Sequence, residues 1–263
     1  PFAFLGPQYD GALKRFYTET KSSNIFIAQP LTALFGGSAL VNPAPLKEII
    51  KQEVNATMVR ALAREYGRGR MLLIGTTNLD AQRQVIWNIG RIAASGHPKA
   101  AELIRQILLA SASIPGAFPP VAIDVVIDGK RYQELHVDGG VTHEIFAYPP
   151  AIKVRHIERQ LGISPRKSFW LIRNTKINVT YRSVGLGVTD IAERSIGTLI
   201  KYQGRGDLIE LERLARRDGF RFHLTAVPED FTIESKEFFD PHYMGELYKV
   251  GYQAGISGRS WRT

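Results

Sequence analysis

Residues 110–141 read ASASIPGAFPPVAIDVVIDGKRYQELHVDGGV. Each part of this run constrains the next. Pro98–Ala110 predicts a helix with Leu103, Ile107 and Ala110 on one face. Pro115, Pro119 and Pro120 forbid its continuation, because proline lacks an N–H and its ring collides with the preceding turn. Asp128–Gly129 then separates Val121–Ile127 from Lys130–Val137. That dipeptide suits the positive φ angles of a type I′ turn, so the flanking segments predict a hairpin. The second strand delivers Asp138 onto Gly139 and Gly140. Read from the residues alone, Asp-Gly-Gly after a strand is a turn in which glycine supplies positive φ. The other reading is a base whose neighbours carry no side chain because something must approach it.

Outward from this run, helical and strand patterns alternate. Tyr9–Thr20 reads as helix, and Leu46–Tyr66 as two helical stretches. Arg70–Gly75, RMLLIG, reads as a strand buried on both faces, and Gln84–Asn88 as another strand. Downstream, Ser168–Asn174 and Phe220–Val227 predict strands, and Pro241–Ala254 predicts a helix. Thr189–Arg217 is helical in pattern, with Gly204–Arg205–Gly206 expected to break it in two. Strands alternating with helices argue for a helix-covered, mainly parallel sheet. No repeat, low-complexity segment or linker stands out, so one domain over residues 1–263 is expected.

Composition narrows the function. A chain of 263 residues is long enough to bury roughly 70–75% of its unfolded surface. It contains no cysteine, which excludes disulfides, thiol catalysis and cysteine-ligated zinc. The uncharged stretch Ile107–Ile123 carries three prolines and could not span a membrane as one helix. Net charge is +9, from 34 Lys plus Arg against 25 Asp plus Glu. That charge is compatible with an anionic membrane surface, while no nucleic-acid-reading motif accompanies it. The opening PFAFLG is apolar from Phe2 onward and reads as the end of a buried helix, which predicts a chain that starts inside its domain.

Several chemistries lack their residues. The histidines, His97, His136, His143, His156, His223 and His242, show no HExxH-type pairing, so no metal is expected. Phe35–Ser38 and Val184–Gly187 are small glycine turns without the spacing of a phosphate cradle. A serine hydrolase of the α/β type needs Gly-x-Ser-x-Gly to expose its hydroxyl on a strained elbow. Ser38 lies in GGSAL, Ser95 in AASGH and Ser257 in GISGR, and none has both glycines. Ser38 is the least implausible nucleophile among them.

The run ASASIPGAFPPV (Ala110–Val121), the hairpin, and HVDGGV (His136–Val141) together resemble the patatin-like phospholipases. GTTNLDAQRQVIW (Gly75–Trp87) and FDPHYMGELYKVGY (Phe239–Tyr252) look like the bacterial branch of that family. The resemblance covers most of the chain. It implies a three-layer α/β/α fold with a mainly parallel central sheet, incomplete at its N-terminus. It also implies a lipid acyl hydrolase working through a Ser–Asp dyad, with no cofactor and with phospholipid or another acyl-ester lipid as substrate. On this resemblance Asp138 corresponds to the proton acceptor, and Gly139 and Gly140 complete its motif. The family's Gly-x-Ser-x-Gly elbow and glycine-rich oxyanion loop have no match here, so the chain is expected to hold half a dyad and to be inactive alone. A lipid-binding relative without a nucleophile is the alternative.

Overall fold

The computed structural model of the chain describes residues 1–29, 39–179, 181–258 and 260–262. By its internal contacts the chain divides into two compact units: Pro1–Thr142 with Ser235–Met244, and His143–Glu234 with Gly245–Thr263. The Phe35–Ser38 turn, Ser38 included, lies outside the described residues.

The first unit begins with α1 (Phe2–Leu5), a 3-10 turn at Pro7–Tyr9, α2 (Asp10–Glu19) and α3 (Ser22–Ile25). Two short strands, β1 (Ile27–Ala28) and β2 (Val41–Asn42), pair with each other. Next come α4 (Ala44–Glu53) and α5 (Ala56–Gly67). The side chain of Asn55 starts α5 by accepting the free N–H groups of Thr57 and Met58, which have no partner inside the helix. Then follow β3 (Leu73–Asn78), β4 (Arg83–Asn88), α6 (Ile89–Ala93), α7 (Ala100–Ala110), β5 (Val121–Ile127) and β6 (Lys130–Asp138).

β3 to β6 form one sheet in the order β4-β3-β6-β5. The predicted hairpin is present, with Ile127 opposite Lys130. Its turn residues Asp128 and Gly129 have φ of 50° and 77°, as a type I′ turn requires. A core of Met58, Leu62, Ile89, Ile104, Ile107 and Ile123 joins α5, α6 and α7 to this sheet. A second cluster, Ile25, Leu46, Leu109 and Phe118, seats α3 and α4 against the end of α7.

The second unit contains α8 (Val154–Leu161), β7 (Ser168–Arg173), α9 (Val188–Asp218) and β8 (Arg221–Ala226). β7 and β8 pair in parallel, from Ser168 opposite Arg221 to Arg173 opposite Ala226. Gly162 and Gly219 end α8 and α9 in the left-handed conformation that glycine reaches without a Cβ clash. The last helix, α10 (Pro241–Ser257), starts in the first unit and contributes its later turns to the second.

The mixed α/β class is as expected, but three details differ. The four-stranded sheet is antiparallel throughout. Among the described strands, parallel pairing occurs in β7 and β8 alone. Short turns such as Asp128–Gly129 reverse the chain and impose antiparallel pairing, whereas β7 and β8 are joined through the whole of α9. Secondly, the strand around RMLLIG is shifted toward the C-terminus. Met71 is 63% exposed, and the buried residues are Thr76, Thr77 and Asn78, where β6 also covers β3. Thirdly, α9 is continuous through Gly204 and Gly206. An ideal Cβ on Gly204 would fall 1.6 Å from Glu144 Oε2 and 2.9 Å from Arg173 Nη2. This glycine therefore admits a packed ion pair instead of ending the helix; its propensity penalty of about 1 kcal/mol is offset by tertiary contact.

The turn makes a simple stability test. Asp128→Asn leaves the midpoint of urea unfolding unchanged, because Asn-Gly serves a type I′ turn equally well. Asp128→Val lowers stability by about 1–3 kcal/mol, since a β-branched residue is strained at positive φ.

Candidate active site

Asp138 is the last residue of β6, and three local features hold it. It lies opposite Thr76 of the central strand β3. Its backbone N–H donates to Ser113 O at 2.9 Å, which ties the strand end to the SASIP turn. That turn is itself fixed: Ser113 Oγ donates to Leu109 O at 2.9 Å, and the Phe118 N–H donates to Ile114 O at 2.9 Å. Phe118 is buried among Ile25, Leu46 and Leu109. The prolines that stop α7 thus build a rigid bracket for the aspartate.

The two glycines have a role the turn reading missed. Gly139–Val141 form a 3-10 turn that begins at Asp138. Gly139 is not among the residues with positive φ. A Cβ on it would lie 2.7 Å from Gly75 O and 3.0 Å from the Gly75 carbonyl carbon. Glycine is required for close approach of two backbones, not for a left-handed φ. Gly140 contributes its N–H, which donates to Asp138 Oδ1 at 2.7 Å.

The carboxylate is partly buried, and burial raises its pKa above the ordinary aspartate value, against the opposing pull of the Gly140 N–H. Among the described residues, that N–H is the only hydrogen-bond donor to the carboxylate. Oδ2 has no hydrogen-bond partner among the described residues. Among the described residues no cation pairs with the group, and burial makes it a stronger base than a solvated aspartate.

The same face of the sheet carries a chain of hydrogen bonds. Trp87 Nε1 donates to Thr76 Oγ1 at 2.8 Å, and Thr76 Oγ1 is 2.9 Å from His136 Nδ1. His136 Nε2 is 3.3 Å from Glu134 Oε2. An indole N–H can only donate, so Thr76 Oγ1 is the acceptor for Trp87. His136 is fully buried, and among the described residues it makes no bond to Asp138. It links strands β3, β4 and β6. His143 belongs to the second unit, where its Nδ1 is 2.9 Å from Asp207 Oδ1. Among the described residues, no three His, Asp or Glu side chains are grouped to hold a metal ion.

A cavity of about 420 Å³ lies in the first unit, bounded by α1, α2, α4, α5 and the end of α7. Its wall includes Phe2, Phe16, Ile50, Met58, Leu108 and Ala112. Ala112 directly precedes Ser113, whose carbonyl holds Asp138. Volume and apolar lining are those of a small-molecule pocket.

A family model described as patatin-like phospholipase matches residues 2–149. The chain belongs to this family. The matched stretch is more than half of the chain and contains the SASIP turn, the hairpin and Asp138–Gly140. No curated protein matches the chain. Membership in the patatin-like phospholipases points to lipid acyl hydrolysis as the family's chemistry and to lipids as its substrates. Of the site, the sequence exposed Asp138, Gly139 and Gly140. It did not expose Thr76, Trp87 or the Ser113 carbonyl, although all three stand in segments quoted for the family resemblance.

The contact between Gly139 and Gly75 is testable. Gly139→Ala destabilises the chain by about 1–3 kcal/mol, because a backbone carbonyl cannot move aside as a side chain can. Gly67→Ala, at the end of α5 with nothing within 4 Å of the added Cβ, leaves stability unchanged or slightly raised. Urea denaturation of the two variants reads the difference.

Proposed function

We propose that Asp138 is the base of a serine–aspartate acyl hydrolase acting on phospholipid or another acyl-ester lipid. The observation that carries this reading is a carboxylate that accepts one backbone N–H, has no other hydrogen-bond partner among the described residues, and is shifted by burial toward higher basicity. Serine attack on an ester carbonyl needs its hydroxyl proton removed, and Asp138 Oδ2 is available to take it. Water then cleaves the acyl-enzyme with the same base. Gly139 and Gly140 complete the motif, and both units are read as one patatin-like domain. The apolar cavity beside Ala112 suits a lipid tail. The net charge of +9 favours an anionic lipid surface over a neutral one.

The described base has no partner nucleophile in a Gly-x-Ser-x-Gly frame within these 263 residues. The chain by itself therefore shows no esterase turnover, and a version joined to a segment carrying that frame hydrolyses a nitrophenyl ester and a phospholipid. In that version Asp138→Asn keeps the shape but removes the proton acceptor, and turnover falls about 10⁴-fold or more. Near-normal turnover of the variant would refute the assignment. The absent frame also favours a second reading, a lipid-binding relative without catalysis. It predicts lipid binding with no turnover even after the frame is supplied.

The raised pKa has a stability signature. The folded state holds the Asp138 proton more tightly than the unfolded state, so this group's contribution is complete below the unfolded value of about 3.9. It is lost as pH rises through the higher folded value. Asp138→Asn consequently raises the melting temperature at pH 7, and the gain shrinks to nothing as the medium is acidified below the ordinary carboxylate range. An equal melting temperature at both pH values would contradict the burial of an ionised base.

A further inference from the structure

We infer that the first unit carries a second ligand site, separate from Asp138, which takes the carboxylate of a free fatty acid together with the start of its chain. The site lies between α4, α7 and the start of β5. It rests on the acyl-ester reading above for the source of its ligand, because ester hydrolysis releases a fatty acid. It needs no role for Asp138.

A cavity of about 350 Å³ opens to solvent there, within the range of small-ligand pockets. All of its lining residues are described, and all belong to the first unit. One part of the wall is apolar, with Ile50, Leu109, Pro119, Pro120 and Val121. Ile50 and Val121 also pack against both apolar clusters of the unit, so this wall is anchored in the core. The other part is basic. Lys47 and Lys51 stand one turn apart on α4, and Arg105 comes from α7. Glu102 is the one carboxylate in the lining.

These cations are positioned but not used up. Arg105 Nε and Nη2 donate to Val54 O at 3.1 and 2.8 Å, which fixes the guanidinium against the end of α4. Its Nη1 is 3.7 Å from Glu102 Oε2, an ion pair longer than a hydrogen bond. Lys51 Nζ is 3.9 Å from Glu48 Oε2, also too long for one. The side chains of Lys47 and Gln106 have no partner among the described residues. Lys47 Nζ, Lys51 Nζ and Arg105 Nη1 can therefore donate to one carboxylate, and the Gln106 amide can donate to its second oxygen.

The chemistry of the wall selects the ligand. Pro43, Pro119 and Pro120 have no N–H, so this part of the wall cannot form the backbone cradle that phosphates occupy. Glu102 and Glu48 offset part of the positive charge, which suits a monoanion better than a phosphate dianion. The apolar wall begins beside the cations, as the methylenes of a fatty acid begin at its carboxylate. The larger cavity beside Ala112 has neither Lys nor Arg in its wall. It can take an alkyl chain but has no means of preferring a carboxylate to an alcohol.

The test is isothermal titration calorimetry of the 263-residue chain near neutral pH with octanoate, octanol, octyl phosphate and acetate, and with circular dichroism to confirm folding. Wild type binds octanoate at least about tenfold more tightly than octanol or acetate. Lys47→Glu with Lys51→Glu reverses two exposed charges without touching the core, and it abolishes the preference for octanoate over octanol. Lys47→Gln alone gives a smaller loss. Arg105 is left intact because it also holds Val54 O. Lys130→Glu with Arg131→Glu, which reverses two exposed cations at the hairpin, changes octanoate affinity by less than about threefold. Asp138→Asn binds octanoate as wild type. No turnover is read, so failure of the acyl-hydrolase reading and failure of this one are distinguishable. The inference is overturned if the Lys47 and Lys51 pair binds like wild type, or if octanol or acetate binds as tightly as octanoate. Loss of octanoate binding in Asp138→Asn would put the ligand at the candidate active site and overturn a separate one. Octyl phosphate binding at least about tenfold more tightly than octanoate would overturn the carboxylate assignment in favour of a phosphate monoester.

Discussion

The first unit turns on the approach of Gly139 to the carbonyl of Gly75. The pairing of β6 with β3 ends there, and no Cβ fits between the two backbones. That contact fixes how far β6 runs along β3, and therefore where Asp138 leaves the sheet. The Asp138 N–H closes the arrangement by bonding Ser113 O, so the turn after α7 and the end of β6 share one position. A carboxylate set this way needs no histidine to orient it. Its backbone is held on both sides, and one of its oxygens is held by the next turn.

Around that point, polar and apolar layers divide the work. The core of Leu62, Ile104, Ile107 and Ile123 holds helices to the sheet by burying apolar surface. Within the sheet, Trp87, Thr76 and His136 make a buried chain of hydrogen bonds that specifies strand register. A one-residue slip would turn these groups to the opposite face and leave each without its partner. Stability comes mainly from the apolar contacts, and the exact placement of Asp138 from the polar ones. The second unit follows the same division. Gly204 lets α9 close over the Arg173–Glu144 pair, while the exposed segment ahead of α9 keeps its apolar groups in water.

Much of this was legible before any coordinates. Asp128–Gly129 has one favourable turn type, and prolines after Ala110 allow one outcome for a helix, so the hairpin and the end of α7 follow from local chemistry. Helices α4, α5, α7 and α10 announce themselves by apolar spacing and end near their expected limits. Asp138 with its two glycines stands out as a motif, and the family follows from it and its companions.

What the sequence could not determine depends on neighbours distant in the chain. The direction of strand pairing is one case, since RMLLIG reads as a strand buried on both faces yet gains cover only where β6 lies against Thr76–Asn78. The meaning of the glycines is another. Gly139 and Gly204 look like turn and helix-break residues because a local reading sees only their freedom, but each is there because another backbone or side chain occupies the space of its Cβ. The basicity of Asp138 belongs with these: a side chain's type sets its ordinary pKa, and only its burial in the folded chain moves it. Local conformational preference is written residue by residue, whereas space, register and desolvation exist only once distant segments meet.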